Sequence, residues 1–273
     1  MSIKIIATDL DGTLMAPDHI TVTPFTKQTL LDAHNSGVKI AVATGRALNL
    51  TEGVTKQIPF ADYVICSNGA SVYDRNREEF IYTNLVSPDV TAEAVNLLDS
   101  LPVYYNIYMD GRIYAREGAE KYFTRSDLPA VFLDEFVSKL TVCKDMSEAV
   151  KDKGAELIDV FYGDGEMKNV IFDFFESKGL VLTSALAGVV SATAPGSDKG
   201  TALDGLCKIT GISSDEAMAF GDASNDATML NYAYFSFAME NGDEICKKAA
   251  RFSAPSNGDE GVARMVAKYV LDK

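Results

Sequence analysis

Histidine is scarce in this chain: His19 and His34 are its only two in 273 residues. A mechanism centred on histidine is therefore not expected. Cysteine is also sparse. Cys66, Cys143, Cys207 and Cys246 are scattered and none forms a CxxC pair, which excludes a zinc ribbon and a thioredoxin-type motif. They read as reduced, mostly buried thiols of a cytoplasmic protein. Positive charge is in deficit, with 25 Lys and Arg against 39 Asp and Glu and a formal net charge of −14. That disfavours nucleic acid or an anionic membrane as partner, since both call for basic patches. An anionic small substrate stays admissible, because a metal ion and a few local cations can reverse the field inside one pocket. Long apolar runs are missing. The longest uncharged segment, Gly179 to Ser197, holds three glycines and Pro195 and reads as two buried strands and a turn, not a membrane span. Lys4 and Asp9 interrupt the early apolar stretch, so no secretory leader is expected.

What is present begins with Ile5-Ile6-Ala7-Thr8-Asp9-Leu10-Asp11-Gly12-Thr13-Leu14. The apolar run reads as a short buried strand. It ends in two carboxylates one residue apart and then a glycine. Ligands of open α/β sheets bind beyond the carboxyl ends of the strands. Asp9 and Asp11 are thus expected at a functional edge, where they repel each other unless a cation sits between them or a proton is shared. A surface turn is the ordinary alternative. An EF-hand loop fails, because Gly12 comes two positions early and Ile20 stands where the bidentate Glu belongs.

Further along, Thr23-Pro24 marks a helix start and Gly37 its close. His34, near the end of that helix, is expected to be exposed. Val38 to Ala43 is a second buried strand, ending in Thr44-Gly45-Arg46, with a helix expected from about Ala47. Tyr63 to Cys66 is a third, ending in Ser67-Asn68-Gly69-Ala70. Strand, helix, strand, helix, strand predicts a doubly wound, mainly parallel Rossmann-like sheet. The pattern then changes. A hairpin around Asp110-Gly111, a helix over 166–177, and strands over Leu180 to Ser184 and Val189 to Thr193 mix in α+β fashion. The expected division is a core domain over 1–83, an inserted α+β cap domain over 84–186, and the rest of the core over 187–273. The doubly wound pattern resumes with a helix after Lys199. A strand over 217–220 follows, ending in Gly221-Asp222-Ala223-Ser224-Asn225-Asp226.

Four polar clusters therefore share one sheet edge: Asp9/Asp11, Thr44, Lys199 and Asp222/Asn225/Asp226. Their chemistry suits phosphoryl transfer to water. Asp9 can attack phosphorus as a carboxylate, since a free Asp ionises at about 3.9. Asp222 can join Asp9 in holding Mg²⁺, a hard cation that prefers oxygen. Lys199, the Thr44 hydroxyl and nearby N–H groups can stabilise phosphoryl charge. Asp11 can protonate the leaving oxygen and later activate water. Taken singly, each residue has an ordinary explanation, such as a solvated lysine or a helix cap. The order of all four clusters together argues otherwise.

This set resembles the haloacid dehalogenase superfamily of phosphohydrolases. The Cof-type branch is suggested by Thr44-Gly45-Arg46, Ser67-Asn68-Gly69-Ala70, Lys199-Gly200-Thr201-Ala202-Leu203, the GDxxND form of the last motif, and Ala238-Met239-Glu240-Asn241. The resemblance implies Asp9 as nucleophile, forming an aspartyl-phosphate, and Asp11 as general acid/base. It implies Asp9, Asp222 and the Asp11 carbonyl as Mg²⁺ ligands. Leu10 through its backbone, Thr44, Lys199 and Asn225 would contact the phosphate. Asp226 would be a supporting residue, with Gly45, Arg46 and Asn68 on the substrate side. Small phosphorylated metabolites such as sugar phosphates are the implied substrates, and a monomer or weak dimer is expected. A sugar phosphomutase shares the aspartyl-phosphate and is one alternative. A receiver-like phospho-accepting switch is another, although a receiver is about half this length and lacks the cap and the GDxxND motif.

Overall fold

The computed structural model describes residues 2–118, 136–162, 165–183 and 188–272. Fourteen strands are found among them. The first five are β1 (Ile5–Thr8), β2 (Lys39–Ala43), β3 (Tyr63–Cys66), β4 (Ser71–Asp74) and β5 (Glu79–Thr83). Next come β6 (Tyr104–Met109), β7 (Arg112–Arg116), β8 (Leu140–Cys143), β9 (Leu157–Phe161), β10 (Val181–Thr183) and β11 (Val189–Thr193). The last three are β12 (Ala217–Gly221), β13 (Phe235–Met239) and β14 (Phe252–Ala254).

The chain divides into two compact units. The first comprises Met1–Arg46, Thr51–Thr83 and Asp198–Lys273. Its eight strands run in the order β14-β13-β12-β1-β2-β3-β4-β5. From β14 to β3 every pairing is parallel, and the β4–β5 hairpin closes one edge antiparallel. Such a sheet is covered on both faces, so its central strands read as continuous apolar runs. Ile5, Ala7, Ala41, Ala43 and Ile65 pack with Leu203 and Leu206 of the helix Lys199–Thr210. The helices Pro24–Asn35 and Gly261–Val270 pack against each other. Thr23 caps the first of these through Thr26 N–H, with Pro24 opening the helix.

The second unit comprises Ala47–Leu50 and Asn84–Ser197. Its six strands run β10-β11-β9-β6-β7-β8, antiparallel except for β7–β8. Tyr105, Ile107, Ile158, Val160 and Val190 point to one face and pack with the helices Pro88–Asp99 and Lys168–Ser177.

Three expectations need correction. The 186/187 boundary lies outside the described residues, as does Ser184, but β11 does not belong with the core. Its backbone is hydrogen-bonded to β9 and β10, and Val190 and Ala192 join the second unit's apolar layer. The return to the first unit therefore falls at Ser197/Asp198. In place of a helix from Ala47 stand a 3₁₀ turn, Leu48–Leu50, and one turn of α-helix, Glu52–Thr55. Thr51, Gly53 and Thr55 are weak helix formers, and Ala47–Leu50 are recruited by the second unit. His34 is half-buried, its ring tilted on Phe60 and its Nδ1 3.4 Å from an Asp62 oxygen.

Candidate active site

β1 and β12 are neighbours, and the chain winds away from them in opposite directions, towards β2 and β3 on one side and β13 and β14 on the other. That is the topological switch point where a doubly wound sheet opens a crevice at its carboxyl edge. Asp9 follows β1 and Asp222 follows β12, so strand order places both there. Asp9 N–H donates to the Phe220 carbonyl at 3.0 Å, which ties the two strand ends together.

After Asp9 the chain turns within five residues. Leu14 N–H and Met15 N–H reach back to the carbonyls of Asp9 and Leu10, at 3.2 and 3.0 Å. The turn needs Gly12 at φ +81°. A Cβ at that position would come 2.4 Å from an Asp222 carboxylate oxygen, so the turn and the acid share one space that only glycine leaves open. Thr13 hydroxyl donates to Asp222 Oδ1 at 2.6 Å, and Asn241 Nδ2 donates to the Gly12 carbonyl at 2.8 Å. Neither Thr13 nor Asn241 was singled out from the sequence, although both lie inside quoted motifs.

Lys199 arrives as the first residue of its helix because Asp198 caps it, accepting Thr201 N–H at 2.9 Å. Its ammonium is fully buried and donates to Asp9 Oδ1 at 2.7 Å and Asp226 Oδ1 at 2.6 Å. The other Asp226 oxygen accepts Asp222 N–H and Ala223 N–H, each at 3.0 Å. Asp226 thus locks the turn after β12 and anchors the lysine at once.

Asp9, Asp222 and Asp226 each bring one carboxylate oxygen within 4.8 Å of the others. Burial pushes the Asp9 carboxyl well above its ordinary value, Lys199 pulls it down, and the charges of Asp226 and Asp222 push it up again. Burial likewise raises Asp222, against the Thr13 hydrogen bond. Burial opposes the charge on Lys199, but Asp226 and Asp9 outweigh it and hold the ammonium protonated. Three acids against one lysine leave excess negative charge in a confined space. A divalent cation beside Asp9 and Asp222 would offset it and favour the carboxylate form a nucleophile needs. The donors there are hard oxygens, so the residues fit Mg²⁺.

Asp11 does not join this cluster through its side chain. Its carboxylate meets Arg46, with Nε to Oδ2 at 2.9 Å and Nη2 to Oδ1 at 2.7 Å. Thr44 is buried. Its hydroxyl accepts Arg46 N–H at 3.2 Å and its carbonyl accepts Asn68 N–H at 3.1 Å. Ser67 N–H donates to the Arg46 carbonyl at 2.9 Å. The loops after β2 and β3 are therefore joined by backbone bonds. Gly45 lies against the Asn68 side chain, where a Cβ would come 3.0 Å from its Oδ1. Leu10 is buried at the start of the turn.

Ser67 and Asn68 both adopt positive φ, +51° and +56°. Asn68 Oδ1 accepts Asn225 Nδ2 at 3.1 Å, so a strained residue after β3 orients an amide after β12. Asn68→Gly keeps the backbone but removes the acceptor. It is expected to lower kcat/KM roughly 3- to 10-fold, the value of one neutral hydrogen bond, with thermal stability nearly unchanged. Asn68→Ala adds about 1–2 kcal/mol of left-handed strain, which a denaturant titration of both variants would resolve.

A carboxylate and a buried ammonium at the switch point of such a sheet, within a cluster of carboxylates that could hold a hard cation, suit phosphoryl transfer. Comparison with known proteins supplies the family. A family model described as haloacid dehalogenase-like hydrolase matches residues 6–266, and the chain belongs to that family, in its Cof-type branch. Its enzyme class is phosphoric monoester hydrolase. Phosphatase YwpJ of Bacillus subtilis is 28% identical over 293 residues, covering 98% of this chain and 100% of that one. The 5-amino-6-(5-phospho-D-ribitylamino)uracil phosphatase YcsE of Bacillus subtilis is 25% identical over 271 residues, covering 99% and 97%. Among solved structures, a haloacid dehalogenase-like hydrolase from Bacteroides thetaiotaomicron shares the fold with a TM-score of 0.82 at 21% identity, covering 98% and 99%. No described helix is long and apolar enough to cross a membrane.

Proposed function

We propose that this enzyme hydrolyses small phosphomonoesters through an aspartyl-phosphate on Asp9. The observation that carries the reading is the Asp9–Lys199 pair. One Asp9 oxygen is fixed by the buried ammonium at 2.7 Å, which holds the carboxylate in one rotamer and leaves Oδ2 to attack. In the first half-reaction Asp9 Oδ2 bonds to phosphorus, the ester P–O bond breaks, and Asp11 gives its proton to the departing oxygen. In the second, water attacks the same phosphorus and loses a proton to Asp11. The bond to Asp9 then breaks and inorganic phosphate leaves.

Lys199, the Thr44 hydroxyl, Asn225 and the Leu10 backbone are assigned to the phosphoryl oxygens, where fixed donors stabilise developing charge. Asp9, Asp222 and the Asp11 carbonyl would hold Mg²⁺, which neutralises phosphoryl charge when bound. The second unit is assigned the role of a cap that selects the substrate, supported by its insertion between Thr83 and Asp198. Sugar phosphates and related metabolites are the proposed substrates. A phosphorylated ribityl compound, the substrate in the printed name of YcsE, belongs to that class. The four cysteines are free thiols, which supports a cytoplasmic setting, and we assign a monomer or weak dimer.

The test is phosphate release from a panel of small phosphomonoesters with Mg²⁺ or with EDTA. Mg²⁺-dependent release is expected, falling at least about 100-fold in EDTA, the scale on which a lost electrostatic stabiliser acts, and returning when Mg²⁺ is restored. No release from any ester by the folded, Mg²⁺-supplemented protein would overturn the reading. Isomerisation of a sugar phosphate without phosphate release would make it a mutase.

A further inference from the structure

Arg46 and Asp11 meet through two parallel hydrogen bonds, at 2.9 and 2.7 Å. A planar guanidinium bound this way fixes both the position and the plane of a carboxylate. The partners are unequally anchored. The Arg46 side chain is 10% exposed and that of Asp11 41%. Arg46 is also held through its backbone, by Thr44 Oγ1 at its N–H and by Ser67 N–H at its carbonyl. His19 also lies near Asp11, with its Nδ1 3.6 Å from Oδ1 on a side chain 61% exposed. An aspartate this exposed would otherwise sample several rotamers.

We propose that Arg46 is a positioning residue for Asp11. It is built into the joined loops after β2 and β3 and fixes the position and plane of the Asp11 carboxylate, from which Asp11 enters proton transfer. The inference rests on the reading of Asp11 as proton carrier given above. Arg46 acts through Asp11 and is not assigned a contact with substrate. Arginine suits the task because lysine, a point charge, cannot hold both oxygens in one plane.

The experiment compares kcat/KM for two esters: an alkyl phosphate, whose alkoxide needs a proton to leave, and p-nitrophenyl phosphate, whose phenolate does not. Wild type, Asp11→Asn, Arg46→Ala, Arg46→Lys and the double variant Asp11→Asn/Arg46→Ala are measured, with circular dichroism to check folding. Asp11→Asn should lose roughly 100-fold or more on the alkyl ester, the usual worth of a general acid, and far less on the aryl ester. Arg46→Ala should lose about 10- to 100-fold on the alkyl ester and under about 5-fold on the aryl ester, as expected when a proton donor is misplaced. Arg46→Lys should recover only part of the loss, and the double variant should be no worse than Asp11→Asn, because both changes remove one function. If Asp11→Asn does not distinguish the esters, the proton-carrier reading itself fails. If Asp11→Asn does but Arg46→Ala lowers both esters equally, or adds its full loss to Asp11→Asn, the positioning role alone is overturned.

Discussion

Asp9→Asn is expected to abolish turnover while leaving the fold intact. Asparagine has nearly the same volume and shape, and the site is closely packed, with Asp9 only 6% exposed. Its amide oxygen can still accept the Lys199 hydrogen bond, so the ammonium keeps one charged partner, Asp226, and one neutral one. The structural cost should therefore be small. The chemical cost is not, because an amide oxygen is a poor nucleophile and a poor ligand for a hard cation. A fall in kcat of at least about 1,000-fold, roughly 4 kcal/mol of barrier, is expected. Steady-state phosphate release would show it. Acid-quenched wild-type enzyme turning over its ester should carry covalent phosphate that the variant lacks. Turnover above a tenth of wild type in Asp9→Asn would remove Asp9 from the mechanism.

Lys199→Met should produce the largest combined loss of stability and activity. Methionine roughly matches the stem of the lysine, so no large cavity opens. The loss is electrostatic. Without the ammonium, Asp9, Asp222 and Asp226 keep oxygens within 4.8 Å of one another, with no cation in the protein between them. Removing one member of a buried ion pair typically costs about 3–5 kcal/mol, because the remaining charge is desolvated and uncompensated. Asp226 would still accept the N–H groups of Asp222 and Ala223, which retains part of the turn after β12. Urea unfolding of both proteins in EDTA would give the stability loss. Added Mg²⁺ should recover more stability in the variant than in the wild type, since the cation then meets the unbalanced acids. A loss under about 1 kcal/mol would mean the triad is relieved by protonation or rearrangement.

A comparison with Arg46 separates two kinds of charge pair. Lys199 is completely buried between two carboxylates, and its removal should destabilise the fold. Arg46 reaches a carboxylate that is 41% exposed, where solvent screening keeps the contribution to stability small. Its loss should appear in the chemistry of proton transfer and hardly at all in unfolding. One salt bridge is enclosed in the carboxylate cluster, and the other holds a half-exposed carboxylate outside it.

The amino-acid sequence by itself determined the strands β1, β2, β3 and β12 of the parallel sheet, the small polar residues at their carboxyl ends, and the succession Asp9, Thr44, Lys199, Asp222 along the chain. These are local properties: a buried strand needs an apolar run, its end needs turn chemistry, and alternation with helices enforces parallel pairing. The tertiary structure alone decided who pairs with whom. Lys199 lies 190 residues from Asp9, and Thr13 lies 209 from Asp222; neither pairing follows from composition or period. A lysine near a helix start reads as a solvated lysine until strand order shows what surrounds it. Asp226, which read as support, proved to be the residue that anchors both that lysine and the turn after β12. The turn of Asp11 towards Arg46, the transfer of β11 to the second sheet and the recruitment of Ala47–Leu50 are of the same kind. Each depends on hydrogen-bond partners and apolar neighbours that only the folded chain brings within reach, whereas strand periodicity and helix caps are settled within a few residues.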